Sequence, residues 1–294
     1  MNAPLELVVL SGKGGTGKTS LTAAFAMFAQ NSIVADGDVD AANLHLLLDP
    51  TPRRTGEFVG GHEASIRTPD CTSCGKCIEL CRFGAIEEVD GWPTITHCEG
   101  CGVCVTFCPS GAIDWTPATT GSWMVSDSRA GILVHARLRP GAENSGKLVA
   151  MVRDLAREEA AKSHAGTILV DGPPGIGCPA IASLSGTHAA VIVTEPTPSG
   201  IHDLQRVLDL CAHFRVRAGI VVNKADLNED ATTAIGVLAT ERGLPLLGTL
   251  PYDPLFTDAQ RAGLPVPLFQ PNHSLTARLQ TLWTAVETWS RTPR

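Results

Sequence analysis

An apolar segment, Leu5–Leu10, runs directly into Gly12-Lys13-Gly14-Gly15-Thr16-Gly17-Lys18-Thr19 and on into a helical stretch, Lys18–Gln30. A strand that ends in G-x4-G-K-[ST] and continues as a helix is a phosphate loop. Its glycines let successive backbone N–H groups curl around an anion, and the helix N-terminus adds its positive end. The motif assigns Lys18 to the β- and γ-phosphates of a nucleotide and the Thr19 hydroxyl to Mg²⁺. The whole run, with Ser20 after it, is the expected ATP cradle. Such a loop works at the carboxyl end of a strand in an open α/β sheet, so this one motif restricts the fold class.

The rest of the chain repeats the alternation. Apolar strands are predicted at Leu5–Leu10, Ile33–Asp36, Thr167–Asp171, Ala189–Thr194, Gly219–Asn223 and Leu246–Leu250. Helices are predicted at Lys18–Gln30, Ser145–Lys162, Ile201–Phe214, Ala231–Arg242 and Ser274–Ser290. The pattern reads as α/β: a doubly wound, mostly parallel sheet with helices on both faces. It breaks between Gly60 and Trp115, where a small α+β module is expected to be inserted. The predicted division is a discontinuous frame, 1–60 and 117–294, around an insert at 61–116.

Eight of the ten cysteines lie in the insert, as Cys71, Cys74, Cys77, Cys81 and Cys98, Cys101, Cys104, Cys108. Both runs have the spacing C-x2-C-x2-C-x3-C, and each is followed by Gly-Ala-Ile (Gly84-Ala85-Ile86 and Gly111-Ala112-Ile113). This is an internal repeat of two short units. Zinc ribbons pair C-x2-C knuckles but need neither the third cysteine nor the fourth, and disulfides do not suit a reducing cytosol. The double run, with Pro109 after Cys108, resembles bacterial two-cluster ferredoxins. That resemblance implies two 4Fe-4S clusters, one held by Cys71, Cys74, Cys77 and Cys108, the other by Cys81, Cys98, Cys101 and Cys104. Arg82 stands where Pro109 stands in the other half; either that cation separates the two potentials, or it is an exposed arginine tolerated in a loop.

The second lysine of the phosphate loop, Lys13, resembles the deviant Walker A signature of the MinD/Mrp/ParA group, which includes the nitrogenase iron protein. Asp36-Gly37-Asp38-Val39-Asp40 with Asn43-Leu44 resembles that group's first switch, and Asp171-Gly172-Pro173-Pro174-Gly175 its second. Asn223-Lys224-Ala225-Asp226 and Pro251-Tyr252-Asp253-Pro254 resemble its loops flanking the nucleotide base. The resemblance implies that Lys13 acts across a dimer on the partner's phosphates, and that Asp38 orients the attacking water. It also implies that Asp38 and Asp171 join Thr19 around Mg²⁺, and that Asn223, with Pro251 nearby, reads adenine. An ATP-dependent homodimer, or a heterodimer with a paralogue, follows from the same likeness.

The combined expectation is an ATP-hydrolysing switch that moves electrons to or from a redox or metallocofactor partner. The alternatives are a carrier of iron–sulfur or other metal clusters, and a partitioning ATPase with structural clusters. A net charge of −7 argues against nucleic-acid binding, which needs a basic surface. No apolar run is long enough for a stable membrane insertion, and the cytoplasm is the expected location. The C-terminal stretch aligns Leu275, Leu279, Leu282, Val286 and Trp289 on one face and is expected to pack on the sheet. Cys211 reads as a buried hydrophobe, and Cys178, at the end of the second switch, as a residue outside the clusters.

Overall fold

The computed structural model describes residues 4–139 and 144–292. The chain divides into two units: Met1–Thr55, Trp123–Arg137 and Ser145–Arg294 form the first, Gly56–Ser122 and Leu138–Asn144 the second. In the first unit β1 (Leu5–Ser11), α1 (Lys18–Phe28), β2 (Ser32–Asp36) and α2 (Leu44–Leu48) follow one another. Strand β3 (Thr51–Ile66) carries the chain into the second unit, which holds α3 (Lys76–Leu80), β4 (Ile86–Val89), β5 (Trp92–Ile95) and α4 (Val103–Thr106). Strand β6 (Ile113–Ser128) returns, and β7 (Gly131–Leu138) follows. The remainder is α5 (Ser145–Ser163), β8 (Thr167–Pro174), α6 (Cys178–Leu184), β9 (Ala189–Thr194), α7 (Pro198–His213) and β10 (Arg217–Val222). Helix α8 (Glu229–Glu241), β11 (Leu246–Thr249), α9 (Leu255–Arg261), α10 (Val266–Phe269) and α11 (Ser274–Arg291) complete it.

One sheet has the strand order β11-β10-β9-β1-β8-β2-β7-β6-β3. Strand β1 pairs in parallel with β8 and β9, β2 with β7 and β8, and β10 with β9 and β11. These are the near-continuous apolar runs expected of strands covered on both faces; Leu7 to Leu10 and Ala189 to Val193 are fully buried. The register puts Asp36 of β2 beside Asp171 of β8, at the strand ends next to the loop that leaves β1. Helix α11 closes the core with Leu275, Leu279, Leu282, Trp283 and Val286, and Trp289 packs against the same cluster half-buried.

Several elements depart from the sequence reading. Strands β3, β6 and β7 were not anticipated, and β6 runs unbroken through the point near 117 where the frame was expected to resume. Their sequences alternate weakly: β3 carries Gly56, Gly60 and Gly61 and is exposed at most positions, so neither burial nor propensity marks it. Short helices α2, α9 and α10, of four to seven residues, were also missed. Among the described residues no helix is long and apolar enough to cross a membrane.

The second unit has a small core of Ala64, Ile86, Cys104 and Ile113, with Ile66, Ile78, Ile95 and Val105 packed on it. Strands β4 and β5 form an antiparallel hairpin turning at Asp90 and Gly91, with φ of 51° and 80°. Positive φ at both positions is the turn that matches strand twist, hence Asp-Gly.

Candidate functional site

The phosphate loop leaves β1 at Ser11, whose hydroxyl donates to the Lys13 carbonyl at 2.8 Å. Gly17 caps α1 in a left-handed conformation, φ 88°, and a Cβ there would stand 2.5 Å from the Asn223 amide nitrogen. Both the backbone and the packing therefore require glycine. A cleft of about 490 Å³ opens over Gly14 to Ser20 and is also lined by Asp38, Asn43, Pro174 and Gln260. Gln260 of α9 donates to the Ser20 hydroxyl at 2.7 Å.

Lys18 is the hub of the cleft. Its side chain is 6% exposed, and its ammonium lies 3.0 Å from Asp171 Oδ1 and 3.8 Å from Asp38 Oδ2. Thr22, one turn along α1, donates to the same Asp171 oxygen at 2.9 Å. Asp171 Oδ2 is buried without a hydrogen-bond partner. Asp36 is fully buried, and its carboxylate accepts from the Asp38 N–H at 3.1 Å and the Leu44 N–H at 3.3 Å, stapling the switch segment across its own loop. Burial, then the nearby Asp171 carboxylate, pushes the Asp36 carboxyl well above its usual range. Burial also raises Asp38, against the pull of Lys18. Three carboxylates thus face one lysine, an imbalance that a divalent cation relieves.

Lys13 points elsewhere. Its ammonium sits 2.5 Å from Glu195 Oε1 and donates to Ser199 Oγ at 3.0 Å and Thr197 Oγ1 at 3.4 Å. Glu195, just past β9, also holds Lys224 at 3.0 Å through its other oxygen, and Lys224 donates to the Gly15 carbonyl at 3.1 Å. Burial raises the Glu195 carboxyl, but the two lysines outweigh it and hold it below its ordinary value. The Asn223 amide donates to the Thr16 carbonyl at 2.8 Å, so in this state it braces the phosphate loop. Asn223 and Pro251 lie on neighbouring loops joined by the Ala225 N–H to Leu250 carbonyl bond of 2.8 Å, outside the lining of the cleft.

The structure therefore gathers Thr19, Lys18 and Asp38 at one cleft with Asp171 bonded behind Lys18, and keeps Lys13 and Asn223 on other partners. The sequence reading missed Thr22, Glu195 and Gln260, and named Lys224 only as part of the loop after Asn223. Thr22 is legible afterwards from its i+4 spacing to Lys18, and Glu195 from its place at a strand end. Gln260 had no local signal.

In the second unit the two cysteine runs form a structural repeat. Gly75 and Gly102 have φ of 71° and 72°, Gly84 and Gly111 both 62°. The Ala85 N–H reaches Cys81 Sγ at 3.4 Å, and its counterpart Ala112 reaches Cys108 Sγ at 3.3 Å. Ser73 donates its N–H to Cys71 Sγ at 3.4 Å, while Ala64 and Gly100 donate theirs to Cys98 Sγ at 3.4 and 3.3 Å. Cys71, Cys74, Cys77 and Cys108 line one cavity with Ile66, Pro93 and Ile113. Cys81, Cys98 and Cys104 pack on the apolar core, and Cys101 is exposed. None of the ten cysteines is in a disulfide. Among the described residues no three His, Cys, Asp or Glu side chains converge closely enough to hold a single metal ion.

The thiols are not equivalent. Burial pushes Cys77 and Cys104 up. Slight burial also pushes Cys108 up, but the Ser110 hydroxyl, 3.6 Å from its sulfur, and nearby backbone N–H groups hold it below its usual value. The Arg82 guanidinium lies 4.7 Å from the Phe83 ring centre. Outside the module Cys211 is buried in α7 and its thiol is pushed up to about 12, whereas Cys178 is exposed at the start of α6.

Comparison with known proteins places the frame. The family model for the CobQ/CobB/MinD/ParA nucleotide binding domain matches residues 7–266. The uncharacterized protein MJ0578 of Methanocaldococcus jannaschii is 35% identical over 228 residues, 76% of this chain and 79% of that protein. The uncharacterized ATP-binding protein MJ0547 of the same organism is 22% identical over 275 residues, 91% and 82% of the two. The septum site-determining protein MinD of Pyrococcus horikoshii, complexed with Mg-ADP, aligns with a TM-score of 0.60 at 18% identity over 98% of both chains. A ParA family ATPase of Chlorobium tepidum aligns at 0.55 with 17% identity, over 98% of this chain and 99% of that one. These structural likenesses carry the fold, and the family model and the MJ0578 match carry the kinship. The chain belongs to the CobQ/CobB/MinD/ParA family of nucleotide-binding domains.

Proposed function

We propose that this protein is an ATP-hydrolysing switch, working as an ATP-dependent dimer, that drives or gates electron transfer through two 4Fe-4S clusters in its second unit. The nucleotide half of the reading is supported by the phosphate loop, the cleft above it and the family. Backbone N–H groups of the loop and Lys18 would hold the β- and γ-phosphates. Thr19, Asp38 and Asp171 would hold Mg²⁺; the orphaned buried oxygen of Asp171 and the excess of carboxylates over lysines both suit a hydrated divalent cation. Asp38, at the cleft wall, would orient the attacking water. Lys13, released from Glu195, would reach the partner's phosphates and supply positive charge where it develops.

The observation that carries the electron half is the repeated thiol scaffold: two runs with matching glycine conformations, each sulfur set wrapped by backbone N–H donors. Four sulfurs, Cys71, Cys74, Cys77 and Cys108, lining one cavity supply the thiolate set that a multi-iron cluster needs. N–H···S bonds delocalise thiolate charge and set a cluster's potential. When bound, the clusters would supply one-electron storage. The test is composition with function: anaerobically purified protein should carry about eight iron and eight sulfide per chain and bind MgATP through Lys18. One equivalent of zinc per run with no iron would refute the electron half and leave the nucleotide half standing.

A further inference from the structure

In the second unit the β4–β5 hairpin has two unlike faces. Ile86 and Pro93 are buried, and Pro93 forms part of the wall of the cavity lined by Cys71, Cys74, Cys77 and Cys108. On the other face Val89 and Trp92 are direct cross-strand partners, 47% and 43% exposed, and neither joins the unit's apolar cluster. Glu87 shares that face opposite Thr94, and Glu88 and Asp90 flank it. All three carboxylates are exposed and have no ion-pair partner among the described residues.

An aromatic–aliphatic pair left in water is unfavourable unless a partner covers it, and an apolar centre with a charged rim is how protein interfaces are built. The sign of the rim says what the partner carries. The hairpin itself has no lysine or arginine, and residues 61–116 hold eight acidic and three basic side chains, a net charge of −5. Like-charge contact across an interface is strongly unfavourable, so this face selects a basic one. Ligated clusters would add further negative charge.

We propose that the outer face of the β4–β5 hairpin, Val89, Trp92 and Glu87, rimmed by Glu88 and Asp90, docks a one-electron carrier protein whose contact face is basic around an apolar centre. The inference rests on the iron–sulfur reading. Pro93, on the inner face of the same hairpin, lines the cavity of Cys71, Cys74, Cys77 and Cys108, which would hold one cluster; that cluster would supply the single electron that the docked carrier takes up or gives back. No bond or proton moves. The rim steers the encounter, and Trp92 anchors the complex.

A lysine-rich c-type cytochrome and an acidic flavodoxin are the probes, used with the full-length, cluster-loaded protein. Transfer from the reduced protein to the cytochrome should slow with rising ionic strength and outpace transfer to the flavodoxin. Glu87→Lys/Glu88→Lys should slow the cytochrome reaction roughly tenfold at low salt. The same charge change on α8, Asp230→Lys/Glu241→Lys, should leave it within about twofold. Trp92→Ala should weaken cytochrome binding several-fold while keeping the salt slope. Equal slowing by the hairpin and α8 variants would overturn the proposal, because the effect would then belong to the general negative field. Loss of self-association in Trp92→Ala, seen by sedimentation, would overturn it in favour of a second copy of this chain. Calorimetric titration with the oxidised cytochrome reads the surface without using the clusters. Absent clusters would therefore strike the electron-transfer reading, and unchanged binding by the hairpin variants would strike this one.

Discussion

The Lys13 ammonium is paired with Glu195 at 2.5 Å inside its own chain, and Glu195 in turn is shared with Lys224. A lysine that is to act on a partner's phosphates must give up this contact. The pair is partly exposed, 28% at Lys13, so its intrinsic worth is small, under about 1 kcal/mol. It is a holding position rather than a lock. Lys13→Ala should keep MgATP binding and lose both hydrolysis and the ATP-dependent dimer. Glu195→Gln should lower the protein concentration at which the ATP-bound dimer forms, by a few-fold. Light scattering with and without nucleotide checks both. An unchanged ATP-bound dimer in Lys13→Ala would contradict the proposed role.

Lys18 stands differently. It is buried against Asp171 and near Asp38, so Lys18→Ala removes the proposed phosphate contact and leaves a cluster of uncompensated carboxylates. Nucleotide binding should fall by at least about a hundredfold, measured by titration with a fluorescent ATP analogue. Lys18→Arg, which retains the charge, should fold better than Lys18→Ala yet still bind poorly, because the hydroxyl and carboxylate around Lys18 fit a compact ammonium.

In the sequence the phosphate loop was legible because strand, glycines and helix are contiguous. So were the two cysteine runs, and the repeat later found in Gly75 and Gly102. Contacts between distant segments were not. Asn223 reads locally as a base-binding residue, but its amide is taken by the Thr16 carbonyl, 207 positions earlier. Glu195 and Lys13 are likewise separated by most of the chain. Strands β3, β6 and β7 escaped for a different reason: glycine-rich or exposed stretches have little periodicity, and their pairing in the sheet decides their conformation.

The Ser110 hydroxyl faces Cys108 Sγ where the other half of the repeat has Phe83. A donor to a ligating sulfur stabilises the more negative, reduced state. Ser110→Ala should therefore lower the potential of one centre, on the order of tens of millivolts, and leave the other unchanged. Redox titration followed by EPR reads the two centres separately. Cys74→Ser and Cys101→Ser, each of which should remove one centre and spare ATP binding, assign the signals.

His135 of β7 is buried, accepts or donates at Ser126 Oγ across 2.9 Å, and stacks at 6.4 Å on His45 of α2. Burial, then His45 and Arg137, lowers its pKa to about 4. The unfolded chain takes up a proton near pH 6.5, where the folded protein does not, so stability is full above that pH and is lost as pH falls toward 4. The loss between pH 6.5 and 4.5 should be about 1–3 kcal/mol. His135→Gln, which keeps a partner for Ser126, should be less stable at neutral pH but show a shallower acid limb in urea titrations.

Coupling between nucleotide and electrons is the core of the account. If ATP closure and cluster reduction are linked, each must change the affinity for the other by the same factor, typically about 5–150-fold. The decisive measurement is the MgATP dissociation constant of the cluster-loaded protein, determined anaerobically in oxidised and in reduced form. The account predicts two different values, with the reduction potential shifted by ATP in the matching amount. Identical affinities in both redox states would contradict it.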